Sequence, residues 1–452
     1  MKGWIIGLFL LTLCSHVNAQ IWLEETRIDT STVITGIEIP WDMEWWSDDT
    51  IVFTQIDGTI QRLAVNSSQL ETIYTVPSLA RENQAGLMGM QMHPNWPDTA
   101  KFYIAYTYYD GSEIDLRIEE LIYDQSNDQV SAGNALMEDV TVSNSNTGCR
   151  ILIAEDNTMY VTMGDVKDNS APQDPASLNG KVLRMNLDGS VPSDNPNTGS
   201  LVFTLGHRNA QGIVQTPSGN IFISEHGPFT DDEINLLEAG SNYGWPLISG
   251  PCSEGNQDLC DSIGAVEPLL DWTPTIAPCG IDFYDNPAIP EWRNSILMAT
   301  LKDERLHVLE FNDLNQTSFT TVSAHLKHVF GRIRDVLVAP NGEIFLATTN
   351  KDVFGTPGPR DDRVIRLTPT KHNGLEEYSA APITVHQHNS KLYFSEPVIG
   401  DLSICDLTGK VLKRTTMLNE TTIDFVPSQH FSVLLVSLQG PVHSINQKLI
   451  IH

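Results

Sequence analysis

The chain has 452 residues, with 27 Lys and Arg against 57 Asp and Glu, and a formal charge of −30. With 40% hydrophobic and 19% charged residues, its composition is that of a folded globular protein, which excludes collagen-like, disordered and membrane-spanning chains. So acidic a chain repels phosphate backbones, which excludes general nucleic-acid binding and requires any anionic ligand to be met by locally clustered cations.

Residues 1–19 read as a secretory signal peptide: Lys2, an apolar run from Trp4 to Cys14, then Ser15-His-Val17-Asn-Ala19 before a cut. The run is shorter than the about 20 residues that span a bilayer, so the chain is expected to be exported into surroundings that permit disulfides. Beyond the leader lie Cys149, Cys252, Cys260, Cys279 and Cys405. Cys252 and Cys260 bracket a short polar loop and are expected to pair, and the odd count leaves at least one thiol free.

From residue 20 to about 370 one phrase recurs: a turn, a triplet of apolar and aromatic residues, then a small or hydroxyl residue. It reads Ile51-Val-Phe53-Thr54, Phe102-Tyr103-Ile-Ala105, Met159-Tyr160-Val-Thr162, Ile221-Phe222-Ile-Ser224, Ile296-Leu297-Met-Ala299 and Ile344-Phe345-Leu-Ala347. A second strand-like run soon follows most copies, as in Thr59–Leu63, Lys181–Met185, Glu233–Leu237, Arg305–Leu309 and Arg363–Leu367. β-Branched and aromatic residues punctuated by Asp-Gly, Ser-Gly and Asn-Gly predict strands and tight turns. Units of about 50–75 residues, each worth about four short strands, predict an all-β six-bladed β-propeller.

Two clusters within this span could carry chemistry. Thr204-Leu-Gly-His207-Arg208-Asn209-Ala-Gln211 is followed by Ser224-Glu225-His226-Gly227-Pro228 and Asp231-Asp232-Glu233. It sets charges and bend-forming residues at strand ends, where propellers gather functional loops. The carbonyls of His-Gly-Pro and the three carboxylates offer hard oxygen ligands suited to calcium, unless the acids merely cap a solvated strand. In Gly331-Arg332-Ile-Arg334-Asp335, alternation puts both arginines on one strand face and Asp335 on the other. Adjacent guanidiniums repel unless an anion joins them, so Arg332 and Arg334, with Lys302 and Arg208, are expected to converge on a polyanion site.

Taken together, Gln84-Ala-Gly86-Leu-Met-Gly89-x3-His93-Pro94, the His207–Pro246 stretch, Trp272-x-Pro-Thr275-Ile-Ala-Pro278, Leu301-Lys302 and Arg332-x-Arg334-Asp335 resemble the soluble glucose and aldose sugar dehydrogenases. Those are periplasmic six-bladed propellers that use pyrroloquinoline quinone (PQQ) and calcium. The resemblance implies oxidation of an aldose at its anomeric carbon by hydride transfer to the quinone, with reducing equivalents passed to a soluble or membrane electron acceptor. It implies that Arg208, Asn209 and Gln211 line the quinone site, that Lys302, Arg332 and Arg334 hold its carboxylates, and that Thr275 is a further contact. Gly227 and Pro228 would give carbonyl oxygens to calcium, and Gln84 would face the substrate. One departure bears on catalysis. The family's general-base His lies four residues before an Arg, and here Ser145-Asn146-Thr147-Gly148-Cys149-Arg150 puts Asn146 in its place. An amide does not accept the sugar's hydroxyl proton. Asp165, His207 and His226 are the neighbouring groups that would substitute. The same departure supports the alternative of a non-catalytic propeller that binds a surface glycan or protein. Cys149 and Cys279 both replace small residues of the family pattern, and they either bridge or remain as two buried thiols.

After a polar linker over 371–382, residues 383–452 predict a small C-terminal β-sandwich. Ile404-x-Asp406-x-x-Gly409-Lys-Val411 and the terminal Lys448-Leu-Ile-Ile451 resemble the sorting domain of type IX secretion, although His430-Phe431-Ser432 stands where that domain usually has Gly-x-Tyr. This resemblance implies recognition by the type IX machinery and a destination outside the cell or on the outer-membrane surface of a Bacteroidetes-type bacterium.

Overall fold

The computed structural model describes residues 19–371 apart from 254, and 385–388, 391–405, 411–425, 433–439 and 444–450 of the C-terminal part. Residues 1–18 of the leader expected over 1–19, most of the expected linker, and Asp406, Gly409, Lys410 and His430–Ser432 of the expected sorting pattern lie outside the described residues. The chain divides into two compact units at His372/Asn373.

The first unit is a ring of six antiparallel sheets. Blade 1 comprises Pro40–Ser47, Thr50–Gln55, Thr59–Ala64 and Gln69–Thr75. Blades 2 to 5 repeat this four-stranded meander, beginning at Leu87, Gly148, Ala210 and Pro278. Blade 6 draws three strands from Ile333–Val338, Ile344–Thr348 and Arg363–Lys371. Its fourth strand is Thr26–Thr35 from the other end of the unit, paired from Thr26↔Lys371 to Thr35↔Arg363 and edged by the short strand Gln20–Trp22. Each innermost strand contacts that of the next blade, and the sixth contacts the first, so the ring closes. In every blade the recurring phrase is the second strand. Its apolar side chains, among them Phe53, Phe102, Phe222 and Phe345, are fully or almost fully buried between sheets.

The phrase's final hydroxyl has a definite task. Thr54 Oγ1 donates to Met88 O at 2.6 Å, Thr162 Oγ1 to Ala210 O at 3.1 Å and Ser224 Oγ to Cys279 O at 2.6 Å. Each bond crosses from one blade to the innermost strand of the next. The strands approach so closely there that a Cβ added to Gly89 or Gly212 would overlap the carbonyl of Cys149 or Cys279.

The C-terminal unit is a five-stranded antiparallel sheet built on Lys391–Cys405, which pairs with Val385–His388, Val411–Asp424 and Val433–Gln439, the last extended by Ser444–Ile450. Leu392, Phe394, Leu402, Ile404, Met417 and Val436 form its buried cluster. Cys252 and Cys260 are disulfide-bonded as expected, whereas Cys149 and Cys279 are free, buried thiols. No helix among the described residues is long and apolar enough to cross a membrane.

Candidate active site

A cavity of about 410 Å³ opens where the innermost strands begin and the second strands end. All six innermost strands carry a register shift near their first residues, between Pro40 and Asp42, Leu87 and Met90, Gly148 and Ile151, Ala210 and Gly212, Pro278 and Ile281, and Ile333 and Asp335. Such bulges bend a strand and re-aim its side chains. At blade 6 Arg332 and Arg334 share the cavity face and Asp335 takes the other, as alternation predicts. Arg334 lines the cavity, while Asp335 reaches across the axis to Arg150 of blade 3 at 2.9 Å and to the Met43 amide of blade 1.

The four cations do converge: Arg208, Lys302, Arg332 and Arg334 all line this cavity, with Gln84, Asn146, Asn209, Gln211 and Gly227. The anion that joins the two arginines is Asp352, unforeseen in the sequence because it comes from a loop 20 positions after Arg332. Its Oδ2 accepts from Arg332 Nε and Nη2 at 3.0 and 2.8 Å and lies 3.8 Å from Arg334 Nη2. Arg334 Nη1 donates to Gln211 Oε1 at 2.9 Å, but its buried Nε has no partner. Lys302 Nζ donates to the Thr275 hydroxyl at 2.6 Å and has no carboxylate within salt-bridge distance among the described residues. Thr275 therefore positions the lysine without lining the cavity, and Pro228 does not line it either.

Below these cations a neutral chain of hydrogen bonds fixes the floor. Gln211 Nε2 donates to Asn209 Oδ1 at 3.0 Å, and Asn209 Nδ2 approaches His226 Nδ1 at 3.4 Å. His226 Nε2 donates to the Pro278 carbonyl at 2.8 Å, which leaves the Nδ1 lone pair as acceptor. Burial, then Arg334 and Arg208, push the His226 pKa down to about 3, so the ring is neutral and weakly basic. His207, the second proposed substitute base, is fully buried, with one nitrogen on Glu225 Oε2 and the other on Thr204 Oγ1. The other Glu225 oxygen accepts the backbone amides of Arg208 and Asn209, so this pair positions the Arg-Asn turn. The third, Asp165, is buried outside the cavity and accepts Asn146 Nδ2 at 3.0 Å, the Lys167 amide at 2.9 Å and Trp245 Nε1 at 2.9 Å.

The acids expected to offer metal ligands are engaged in holding loops. Asp232 accepts the amides of Gly227, Ile276 and Ala277, Glu233 accepts the Gly250 amide, and Asp231 accepts from Thr230, Ser249 and Thr273 hydroxyls. The Gly227 carbonyl accepts from Arg208 Nη1 at 2.9 Å, as does that of His226 at 3.0 Å. Among the described residues no group of three or more His, Cys, Asp or Glu could hold a metal ion. Two further cavity residues escaped sequence reasoning: Arg81, in the loop before blade 2, and Phe354, two residues after Asp352. Neither belongs to a recurring pattern, and only the ring's closure brings them to the site.

The glucose/sorbosone dehydrogenase family model matches residues 37–354. Quinoprotein glucose dehydrogenase B of Acinetobacter calcoaceticus is 27% identical over 410 residues, covering 72% of this chain and 86% of that protein. Aldose sugar dehydrogenase YliI of Escherichia coli is 22% identical over 355 residues, covering 75% and 95%. The PQQ-bound form of aldose sugar dehydrogenase from Streptomyces coelicolor superposes with a TM-score of 0.68 at 28% identity, covering 76% of this chain and 99% of that one.

Proposed function

The chain belongs to the glucose/sorbosone dehydrogenase family, and from that membership we propose that it is a PQQ-dependent oxidoreductase acting on sugars. The observation that carries the reading is the convergence of Arg208, Lys302, Arg332 and Arg334 on one cavity of a chain whose net charge is −30. A cofactor with three carboxylates fits this donor set: Lys302 Nζ has a single neutral partner, and the buried Arg334 Nε has none. An unpaired buried donor costs about 1–3 kcal/mol, which an anionic ligand would recover. When bound, PQQ supplies a quinone that accepts hydride from the anomeric carbon of an aldose.

The protein's residues then bind and orient. Lys302, Arg332 and Arg334 hold the carboxylates, with Asp352 keeping the two guanidiniums together. Asn209 and Gln211 form a rigid neutral floor, and Gln84, whose Oε1 accepts the Asn146 amide at 3.3 Å, faces the substrate. Calcium is the expectation these residues fit least. Arg208 already occupies the Gly227 carbonyl, and Pro228 stands outside the cavity lining. Arg208 itself supplies the positive charge at that wall.

The test is purified protein with PQQ, followed by calorimetry and by dye reduction with a panel of sugars, with and without added calcium. Binding at micromolar PQQ and sugar-dependent reduction are expected, and no binding at that concentration overturns the reading. Asn146 favours a second reading, in which the propeller binds a glycan or protein without turnover; PQQ binding with no reduction by any sugar would select it. Export belongs to the same proposal and rests on the leader and tail patterns alone. A mature chain recovered from the outer surface or medium and beginning at Gln20 by mass spectrometry is expected.

A further inference from the structure

Arg81 is a fifth cation at the cavity, and the cofactor reading leaves it without a task. It lies in the loop that carries Gln84. That loop is tied to the segment carrying Asn146 by Gln84 N to Asn144 O at 3.0 Å and by Asn83 Nδ2 to Ser145 Oγ at 3.0 Å. Arg81 thus stands on the wall assigned to the substrate, in a different blade junction from Lys302, Arg332 and Arg334. Its Nη1 donates to the carbonyls of Asn83 and Ala85 at 2.7 and 3.3 Å, while Nε and Nη2 have no partner among the described residues. Its side chain is exposed at the cavity mouth, and no carboxylate among the described residues pairs with it: Glu38 and Asp57 act only through longer-range attraction. Nearby Glu82 is bound to the Tyr109 hydroxyl, and Asp165 is fully engaged with Asn146, Lys167 and Trp245.

The charges lining the cavity make the same point. Five cations face one carboxylate, Asp352. A tricarboxylate cofactor still leaves a positive charge unmatched, and the unmatched one is at the substrate wall. In a chain with only 27 Lys and Arg among 452 residues, five at one cavity is a local exception to a repulsive field. A planar guanidinium with a free edge is built to take a carboxylate in two parallel hydrogen bonds. We propose that Arg81 selects an acidic sugar, a hexuronate whose carboxylate pairs with its free edge, over a neutral aldose. This inference rests on the dehydrogenase reading and narrows its substrate class.

The experiment uses full-length protein loaded with PQQ, compares D-glucuronate and D-galacturonate with D-glucose and D-galactose by dye reduction, and measures glucuronate binding by calorimetry. Uronates are expected to have the higher kcat/KM. Arg81→Gln should lower that for uronates by about 10- to 100-fold while the ratio of uronate to aldose collapses toward one. Arg81→Lys should restore part of the ratio. A merely structural role, holding Asn83 and Ala85, would lower all sugars alike and leave the ratio unmoved, which overturns the inference. Neutral aldoses turned over as well as uronates also overturn it, with the dehydrogenase reading intact. If no sugar reduces the dye but glucuronate binds and Arg81→Gln abolishes that binding, the dehydrogenase reading fails and the acidic-sugar site stands; absence of both turnover and binding sinks it.

Discussion

On the proposed dehydrogenase function, Asn146 stands where the family resemblance implies a general base. Its side-chain amide donates to Asp165 Oδ1 at 3.0 Å, so the carboxylate that would orient an imidazole at this position is already in place. A His held by a carboxylate has a defined tautomer and a stabilised cation, the arrangement that makes a general base. Asn146→His is therefore expected to raise kcat by about 10²–10⁴-fold in dye-reduction assays. Adding Asp165→Asn to that variant should remove most of the gain, because an amide does not stabilise the imidazolium. His226 is poorly suited to act as that base: its Nδ1 is turned to Asn209 and its protonated form is opposed by burial, Arg334 and Arg208. The family resemblance put Asn146 at the expected base position and left three substitutes open. Only the hydrogen-bond partners of His207, His226 and Asp165 separate them.

Among the elements, the six second strands carry most of what was readable beforehand. Their phrase recurs because each meets the same demands, apolar side chains between two sheets and a small or hydroxyl residue where the next blade's innermost strand passes close. Removing the hydroxyl from Ser224 strands the buried Cys279 carbonyl, and Ser224→Ala is expected to cost about 1–3 kcal/mol in denaturant unfolding. Gly212→Ala should cost at least as much, because its methyl would drive into that same carbonyl and push blades 4 and 5 apart. The bulges of the innermost strands were not readable. A register shift depends on the partner strand as much as on the bulged one, so the residue pattern of a single strand does not record it.

At the scale of the molecule, the ring is stitched at every junction by a polar bond. Thr54 and Asp42 join blades 1 and 2, Gln91 joins 2 and 3, Thr162 joins 3 and 4, and Ser224 joins 4 and 5. Asp282 accepts the Val338 amide at 2.7 Å between blades 5 and 6, and Asp335 accepts the Met43 amide at 2.8 Å between 6 and 1. Burial raises the Asp282 pKa to about 6, against the lowering effect of the Val338 and Phe283 amides. A folded-state pKa raised above the ordinary carboxylate value contributes stability that is full below that ordinary value and is lost as pH rises through about 6. An asparagine does not titrate, so the melting midpoint of the wild type relative to Asp282→Asn should be highest near pH 4 and fall until about pH 7. A difference that stays flat over that range would show Asp282 to be ionised throughout.

By itself, the sequence determined the strand-rich repeat, its six copies, the disulfide between Cys252 and Cys260, and the set Arg208, Lys302, Arg332 and Arg334. All of these are encoded in short stretches, where alternation, turn residues and local charge act within a few positions. The tertiary structure alone decided that Thr26–Thr35 completes blade 6, that Asp352 joins the two arginines, that Cys149 and Cys279 stay apart as thiols, and that Arg81 stands at the cavity unpaired. The reason is geometric. Closing a ring brings together residues hundreds of positions apart, and which of them meet depends on blade spacing and strand register, quantities that no local pattern records.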